Sequence, residues 1–290
     1  MADHLIPAAA IDRYTAAPPA TTVTAAKSLH ENIRSVLGSG YETFLQGSYK
    51  NDTGVADIND VDIVALRKNT TSTIFTGTVA RNSITWEAIF KEVQDKLEAT
   101  REYRGKTEKG DKCITVNTNF HADVVPAVYI SADGNDPISV YSFRERAERK
   151  NFPRDHYQRN VEKQTRTGDN YKATVRMFKR WTKNWFGGTK TASSFHVECL
   201  IHSVPNSCFV SDKAWAFFTV AHHIVENVTR ATVVYSVAGD KDILTDAEWK
   251  PDNFEKWQTA LKAARGKVAQ AIQAKTEADA RRYWREAFGE

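Results

Sequence analysis

The sequence predicts an α+β protein, with a lobe of mixed strands and helices over residues 1–150 and a helical second lobe over 151–290. Three observations predict it. Apolar runs of strand length alternate with amphipathic helical periods through the first half. After Pro153 strand signals nearly vanish and helical periods dominate. Aspartates stand inside two of the apolar runs, at spacings that put them on one side of a sheet.

The elements follow in order. A polar start with Pro18-Pro19 leads into a helix over 22–37, where Ala25, Leu29, Ile33 and Leu37 recur every four residues and Gly38 ends the run. Phe44 and Leu45 open a strand that closes on Gly47-Ser48, a residue permissive for unusual backbone angles followed by a hydroxyl, which together suit a phosphate-cradling turn. Asn59-Asp60-Val61-Asp62-Ile63-Val64 comes next. Side chains two apart on a strand share a face, so Asp60 and Asp62 form one oxygen-rich edge while Val61 and Ile63 pack behind it. Magnesium takes hard oxygen ligands, commonly one or two carboxylates plus substrate phosphates. Trp86, Ile89, Phe90, Val93 and Leu97 mark a second amphipathic helix, and strands are expected at 113–116 and 122–130. The second of these carries Asp123, a third acid suited to a two-metal site.

Helices are then expected over 170–185, 194–204, 213–227, 252–264 and 267–288. The first carries Lys172, Arg176, Lys179 and Lys183 along one face, a cationic stripe suited to an anion. Ser193 and Ser194 open the next helix, able to cap it or to donate to a phosphate. Gly187-Gly188-Thr189-Lys190-Thr191 lacks the first glycine of a P-loop and follows a helix, so it reads as a turn.

Composition narrows the class. The net charge of +4 suits an anionic substrate, and no dense basic tract or zinc-ligand spacing marks an RNA-binding module. The three cysteines, Cys113, Cys199 and Cys208, are odd in number and unpaired in spacing, which argues for reduced thiols and a cytoplasmic setting. The most apolar run, 214–221, is too short to span a bilayer, and no targeting signal is visible, so no membrane association is expected.

In combination, Leu45-Gln46-Gly47-Ser48-Tyr49-Lys50-Asn51, Asp60-Val61-Asp62-Ile63-Val64, Ala122-Asp123-Val124-Val125, Tyr171-Lys172-Ala173-Thr174-Val175-Arg176-Met177-Phe178-Lys179 and Ser194-Phe195-His196-Val197-Glu198 resemble motifs of the bacterial CD-NTases. These are relatives of cyclic GMP-AMP synthase and oligoadenylate synthase, within the polymerase-β-like nucleotidyltransferase superfamily, and the likeness is nearest to clade E. The resemblance implies a cyclic oligonucleotide synthase of an antiphage CBASS system, with its active site in a cleft between the lobes. By motif position, Gln46, Gly47 and Ser48 bind substrate, the glycine and serine gripping the donor triphosphate. Asp60, Asp62 and Asp123 are the catalytic metal ligands, holding two Mg2+ ions that Mn2+ can replace. Lys179 and Ser194 contact the triphosphate and Phe195 stacks on the donor base. Asn151, in Asn151-Phe152-Pro153, is the candidate for a pyrimidine-selecting contact, which points to a pyrimidine-containing cyclic dinucleotide. The implied partners are nucleoside triphosphates, UTP and ATP foremost, and a separate effector protein that reads the product. No stable nucleic-acid partner is expected, and the enzyme is expected to act as a monomer. Two other classes stay open: a nucleotidyltransferase acting on RNA ends or a protein, and an inactive binding protein on the same fold.

Overall fold

The computed structural model describes residues 3–76, 84–131, 134–187, 189 and 191–290. In chain order the elements are α1 (Ala8–Thr15), α2 (Ala20–Leu37), β1 (Tyr41–Gln46), α3 (Gly47–Lys50), β2 (Asp60–Thr71), α4 (Thr73–Thr76), α5 (Trp86–Glu98), β3 (Thr107–Lys109), β4 (Ile114–Val116), β5 (His121–Tyr129), β6 (Ile138–Ser142), β7 (Ala147–Asn151), α6 (Pro153–Arg166), α7 (Tyr171–Phe186), α8 (Ser194–Ser203), α9 (Lys213–Asn227), α10 (Pro251–Gln273) and α11 (Glu277–Ala287). The fold is α+β, as the sequence predicts.

The chain divides into two compact units. One comprises residues 18–51 and 57–157, and the other comprises 1–17, 52–56 and 158–290. The division falls inside α6 and assigns α1 and the short segment 52–56 to the helical unit.

Among the described residues the sheet unit has seven strands in the order β1-β2-β5-β4-β3, with β6 pairing the far half of β5 and β7 pairing β6. Of these described strands only β2 and β5 pair in parallel. One face is largely apolar: Val61, Ile63 and Ala65 of β2, Ala122 and Val124 of β5 and Ile114 and Val116 of β4 pack on α2 and α5. Ala26, Leu29, Ile33 and Leu37 line the buried side of α2 at helical spacing, and Gly38 stops it with φ 72°, a backbone angle that costs other residues energy. The opposite face carries Val64, Leu66, Val125, Ala127, Ile138 and Val140 in a smaller cluster. Period-two alternation along β2 puts Asp60 and Asp62 on this second face, beyond Val64.

The helical unit is held by aromatic packing. Trp181, Trp257, Trp284, Phe178, Phe217 and Phe254 are all buried, with Trp181 edge-on to Trp257 at 5.3 Å between ring centroids and Phe178 stacked on Phe217 at 4.4 Å. One expected helix boundary needs correction, and some elements lie outside the expected set. The helix expected to break near Gly266 continues to Gln273, because nothing crowds Gly266 and a single glycine costs a long packed helix only about 1 kcal/mol. The break comes at 274–276, where the Thr276 hydroxyl caps α11. The β6–β7 hairpin and α6 were not expected, since β7 reads Ala-Glu-Arg-Lys-Asn and α6 offers almost no apolar period. Helix α1 was missed because its run of alanines gives no periodic signal. Gly187 ends α7 in the left-handed region, while Gly188 and Lys190 of the same segment lie outside the described residues. No described helix is long and apolar enough to cross a membrane.

Candidate active site

Sheet register assembles the site. Gln46 of β1 lies opposite Asp62 of β2, Asp62 lies beside Asp123 of β5, and Asp123 lies opposite Thr115 of β4. These four residues form a row across the sheet. Neighbouring strands are about 4.8 Å apart, so the Asp62 and Asp123 carboxylates are side by side. Asp60 shares their face two residues earlier on β2 and is exposed, whereas Asp62 and Asp123 are half-buried. Among the described residues no three acidic, imidazole or thiol groups already stand close enough to hold one ion. The pair that does stand together has the chemistry magnesium prefers, two carboxylates with substrate phosphate able to supply the remaining oxygens.

The approach of the glycine turn to this row is close. Gly47 begins α3 at φ 67°, and a Cβ built there would overlap Asp62 Oδ2. Two constraints therefore select glycine, the left-handed backbone and the carboxylate packed against it. Gly47→Ala should lower kcat/KM at least tenfold, because the methyl displaces Asp62, while the strained backbone costs about 1–2 kcal/mol of stability. Steady-state kinetics with thermal melting checks this, and wild-type kinetics in the variant would show that Asp62 has room to move without consequence.

The row is held at both ends. At one end the Thr115 hydroxyl donates to Asp123 Oδ1 at 2.7 Å. At the other, Asn151 Nδ2 donates to Gln46 Oε1 at 3.0 Å, joining the last residue of β7 to the residue just before Gly47. The two were singled out separately in the sequence and the structure brings them together. Half-buried Ser48 follows Gly47 in the first turn of α3. Cys113 lies next to this row, and burial, reinforced by the charges of Asp123 and Asp62, pushes its thiol up to about 12, so it stays protonated at neutral pH.

The remaining expected residues belong to the helical unit. Lys179 is buried, with Nζ 2.5 Å from Glu198 Oε2 and 2.9 Å from Thr53 Oγ1. Glu198 also accepts from the Thr53 hydroxyl at 2.7 Å and from Asn160 Nδ2 at 2.8 Å, and the Tyr171 hydroxyl donates to Asn160 Oδ1 at 2.6 Å. This network is internal to the unit and fixes the segment 52–56. The cationic stripe serves the same segment: Arg176 donates to the carbonyls of Asp52 and Thr15, and both Lys172 and Arg176 lie 3.8 Å from the Asp52 carboxylate. Ser194 is the exposed first residue of α8, and the cap is made by Ser193, whose hydroxyl accepts from the His196 N–H. Phe195 is half-buried at the rim of the helical core, with Lys241 Nζ 5.3 Å from its ring centroid. Sequence reasoning missed Thr115, Thr53 and Glu198. Only Glu198 left a signal, a carboxylate set among Val197, Cys199, Leu200 and Ile201.

The chain is similar in sequence and fold to known proteins. Residues 158–265 match the cGAS/DncV-like nucleotidyltransferase C-terminal helical domain. A cyclic dipurine nucleotide synthase from Elizabethkingia meningoseptica is 32% identical over 220 residues, covering 66% of this chain and 70% of that protein. A cyclic UMP-AMP synthase from Rhodothermus marinus is 29% identical over 231 residues, covering 70% of this chain and 78% of that protein. The solved structure of Rhodothermus marinus CdnE c-UMP-AMP synthase with Apcpp and Upnpp superposes with a TM-score of 0.70 at 26% identity, covering 89% of this chain and 97% of that one. The structure of E. coli MS115-1 CdnC with ATP shares the fold at a TM-score of 0.75 and 13% identity, covering 100% and 98%.

Proposed function

The chain belongs to the cGAS/DncV-like nucleotidyltransferase family, and from that premise we propose that it joins two nucleoside triphosphates into a cyclic dinucleotide. The observation that carries the reading is the row of Asp62 beside Asp123 with Gly47 pressed against Asp62, because it puts paired carboxylates next to a turn whose backbone can approach phosphate. In each transfer a ribose hydroxyl forms an ester bond to the α-phosphorus of the other nucleotide, the α–β phosphoanhydride breaks, and pyrophosphate leaves in line. A second transfer closes the ring.

Asp60, Asp62 and Asp123 would hold the divalent cations, Mg2+ with Mn2+ as substitute. Those ions, when bound, polarise the α-phosphate and acidify the attacking hydroxyl. Gly47 and Ser48 orient the donor triphosphate, and Asp123 receives the hydroxyl proton. The roles given by the resemblance to Lys179 and Ser194, triphosphate contact, and to Phe195, base stacking, belong to the same proposal. So do UTP and ATP as substrates, a separate effector for the product, monomeric action in the cytoplasm and a place in antiphage defence.

Asn151 is proposed as the base-selecting residue, held by Gln46, and a pyrimidine in the product follows from it. An amide that hydrogen-bonds a substrate discriminates strongly against bases lacking the partner. Incubation with labelled ATP, GTP, CTP and UTP plus Mg2+ or Mn2+, followed by phosphatase, tests both parts. A phosphatase-resistant dinucleotide containing uridine is expected from the wild type. Asn151→Ser, shorter and out of reach of Gln46, should let purines compete at the same position. Labelled RNA or protein in place of a small product would overturn the cyclic-dinucleotide reading, and base ratios unchanged by Asn151→Ser would overturn the role of Asn151.

A further inference from the structure

We propose that Thr115 is a positioning residue for Asp123: its hydroxyl holds Oδ1 so that the other carboxylate oxygen is the one offered to the divalent cation. The inference rests on the reading of Asp123 as a metal ligand. Thr115 is the middle residue of β4, directly opposite Asp123 in antiparallel register, and the hydroxyl donates to Oδ1 at 2.7 Å.

Both partners are anchored by their neighbours. Ile114 and Val116 on one strand and Ala122 and Val124 on the other are fully buried on the far face, so neither strand can rotate to break the bond without exposing core. The terminal torsion of an aspartate is broad and two-fold, which leaves its two oxygens interchangeable unless something distinguishes them. A hydroxyl on a β-branched side chain can do so. Threonine in a strand has restricted χ1, so the direction of its O–H is largely set before any ion arrives. Partners of metal ligands act in this way, fixing the orientation of the ligand, and their loss commonly costs 10–100-fold in metal affinity. A threonine in a strand is usually only a packing residue. Here its hydroxyl is spent on the carboxylate that stands beside Asp62, and a packing role does not require that bond.

The test uses Mn2+ as the probe and reads binding without turnover. The full chain with a non-hydrolysable triphosphate analogue is titrated with Mn2+ and followed by electron paramagnetic resonance, for wild type, Thr115→Val, Thr115→Ser and Asp123→Asn. Thr115→Val keeps the β-branched shape and should bind Mn2+ about tenfold more weakly. Thr115→Ser keeps the hydroxyl and should stay within about twofold of wild type. Melting midpoints of both variants should lie within about 2 °C of wild type, since Thr115 is only half-buried and lies outside the core. Thr115→Val with wild-type Mn2+ affinity, or Ser and Val weakened alike, overturns the proposal. Product assays on the same samples separate it from the functional reading. Thr115-dependent Mn2+ binding without any cyclic product sinks the synthase assignment and leaves the positioning role standing. Product formation with Thr115-independent Mn2+ binding does the reverse. Absence of Mn2+ binding in the wild type overturns both.

Discussion

Asp60→Asn combined with Asp62→Asn should reduce nucleotide transfer at least a thousandfold while leaving the melting midpoint unchanged or raised. Two of the three acids on one sheet face are then neutral, and neither amide replaces a carboxylate as a hard, charged ligand. The stability half of the prediction has the opposite sign from most buried-site substitutions. Asp62 and Asp123 are adjacent in register, and like charges about 5 Å apart repel by on the order of 1–3 kcal/mol at the effective dielectric of a half-buried site. Without a bound cation the variant relieves that repulsion. Product assays over a range of Mg2+ with calorimetry on the metal-free protein provide the measurement. Turnover near the wild-type rate in the double variant would remove the carboxylate row from the chemistry, and a lowered midpoint would show that Asp60 or Asp62 has a structural task.

Lys179→Ala should destabilise the protein by about 3–5 kcal/mol, because it removes the ammonium that pairs with the buried Glu198 carboxylate at 2.5 Å. For a chain of this size the midpoint should fall by roughly 10 °C. The Thr53 hydroxyl and the Asn160 amide remain as donors to Glu198, but neither carries a compensating charge. Replacing both charges by apolar groups of similar length, Lys179→Met with Glu198→Leu, should cost less than the single change, since no buried charge is left unpaired. This double variant also isolates the nucleotide question. Where Lys179 additionally contacts triphosphate, KM for nucleotide stays high in the double variant even as the fold recovers; where it serves the ion pair alone, KM returns with the fold. A Lys179→Ala protein that melts like wild type would mean that Glu198 is solvated or protonated in solution, contrary to the buried pair seen here.

The candidate acids were legible in the sequence because a strand repeats every two residues and two charges at that spacing interrupt an otherwise apolar run. Helices α2, α5, α7 and α9 were legible for the analogous reason at a period of 3.6. What was not legible depended on partners distant in the chain. Thr115 looks like any strand threonine until register sets it opposite Asp123, and the Gln46–Asn151 bond joins residues 105 apart. Lys179 reads in sequence as one of a cationic stripe suited to an anion, yet Val175, Phe178 and Thr182 surround its position on the helix and are buried. Its place beside that apolar side was visible in the spacing; its partner Glu198 was not, because α7 and α8 meet only through tertiary packing. Strand β7 escaped notice since pairing with β6, not its own composition, makes it a strand.

The segment 52–56 lies in sequence between the glycine turn and the acidic strand, but its hydrogen bonds go to residues made much later. Thr53 and Glu198 are separated by 145 positions. At synthesis rates of about 5–20 residues per second, the ribosome needs roughly 7 to 30 seconds to cover that interval. Through that time Thr53 lacks Glu198, and for most of it Asp52 has neither Lys172 nor Arg176 to meet. The strands on either side can pair while the link between them stays in water. The native path from Gly47 to Asp60 is thus completed late in the life of the nascent chain, a timing that follows from where Glu198 is encoded.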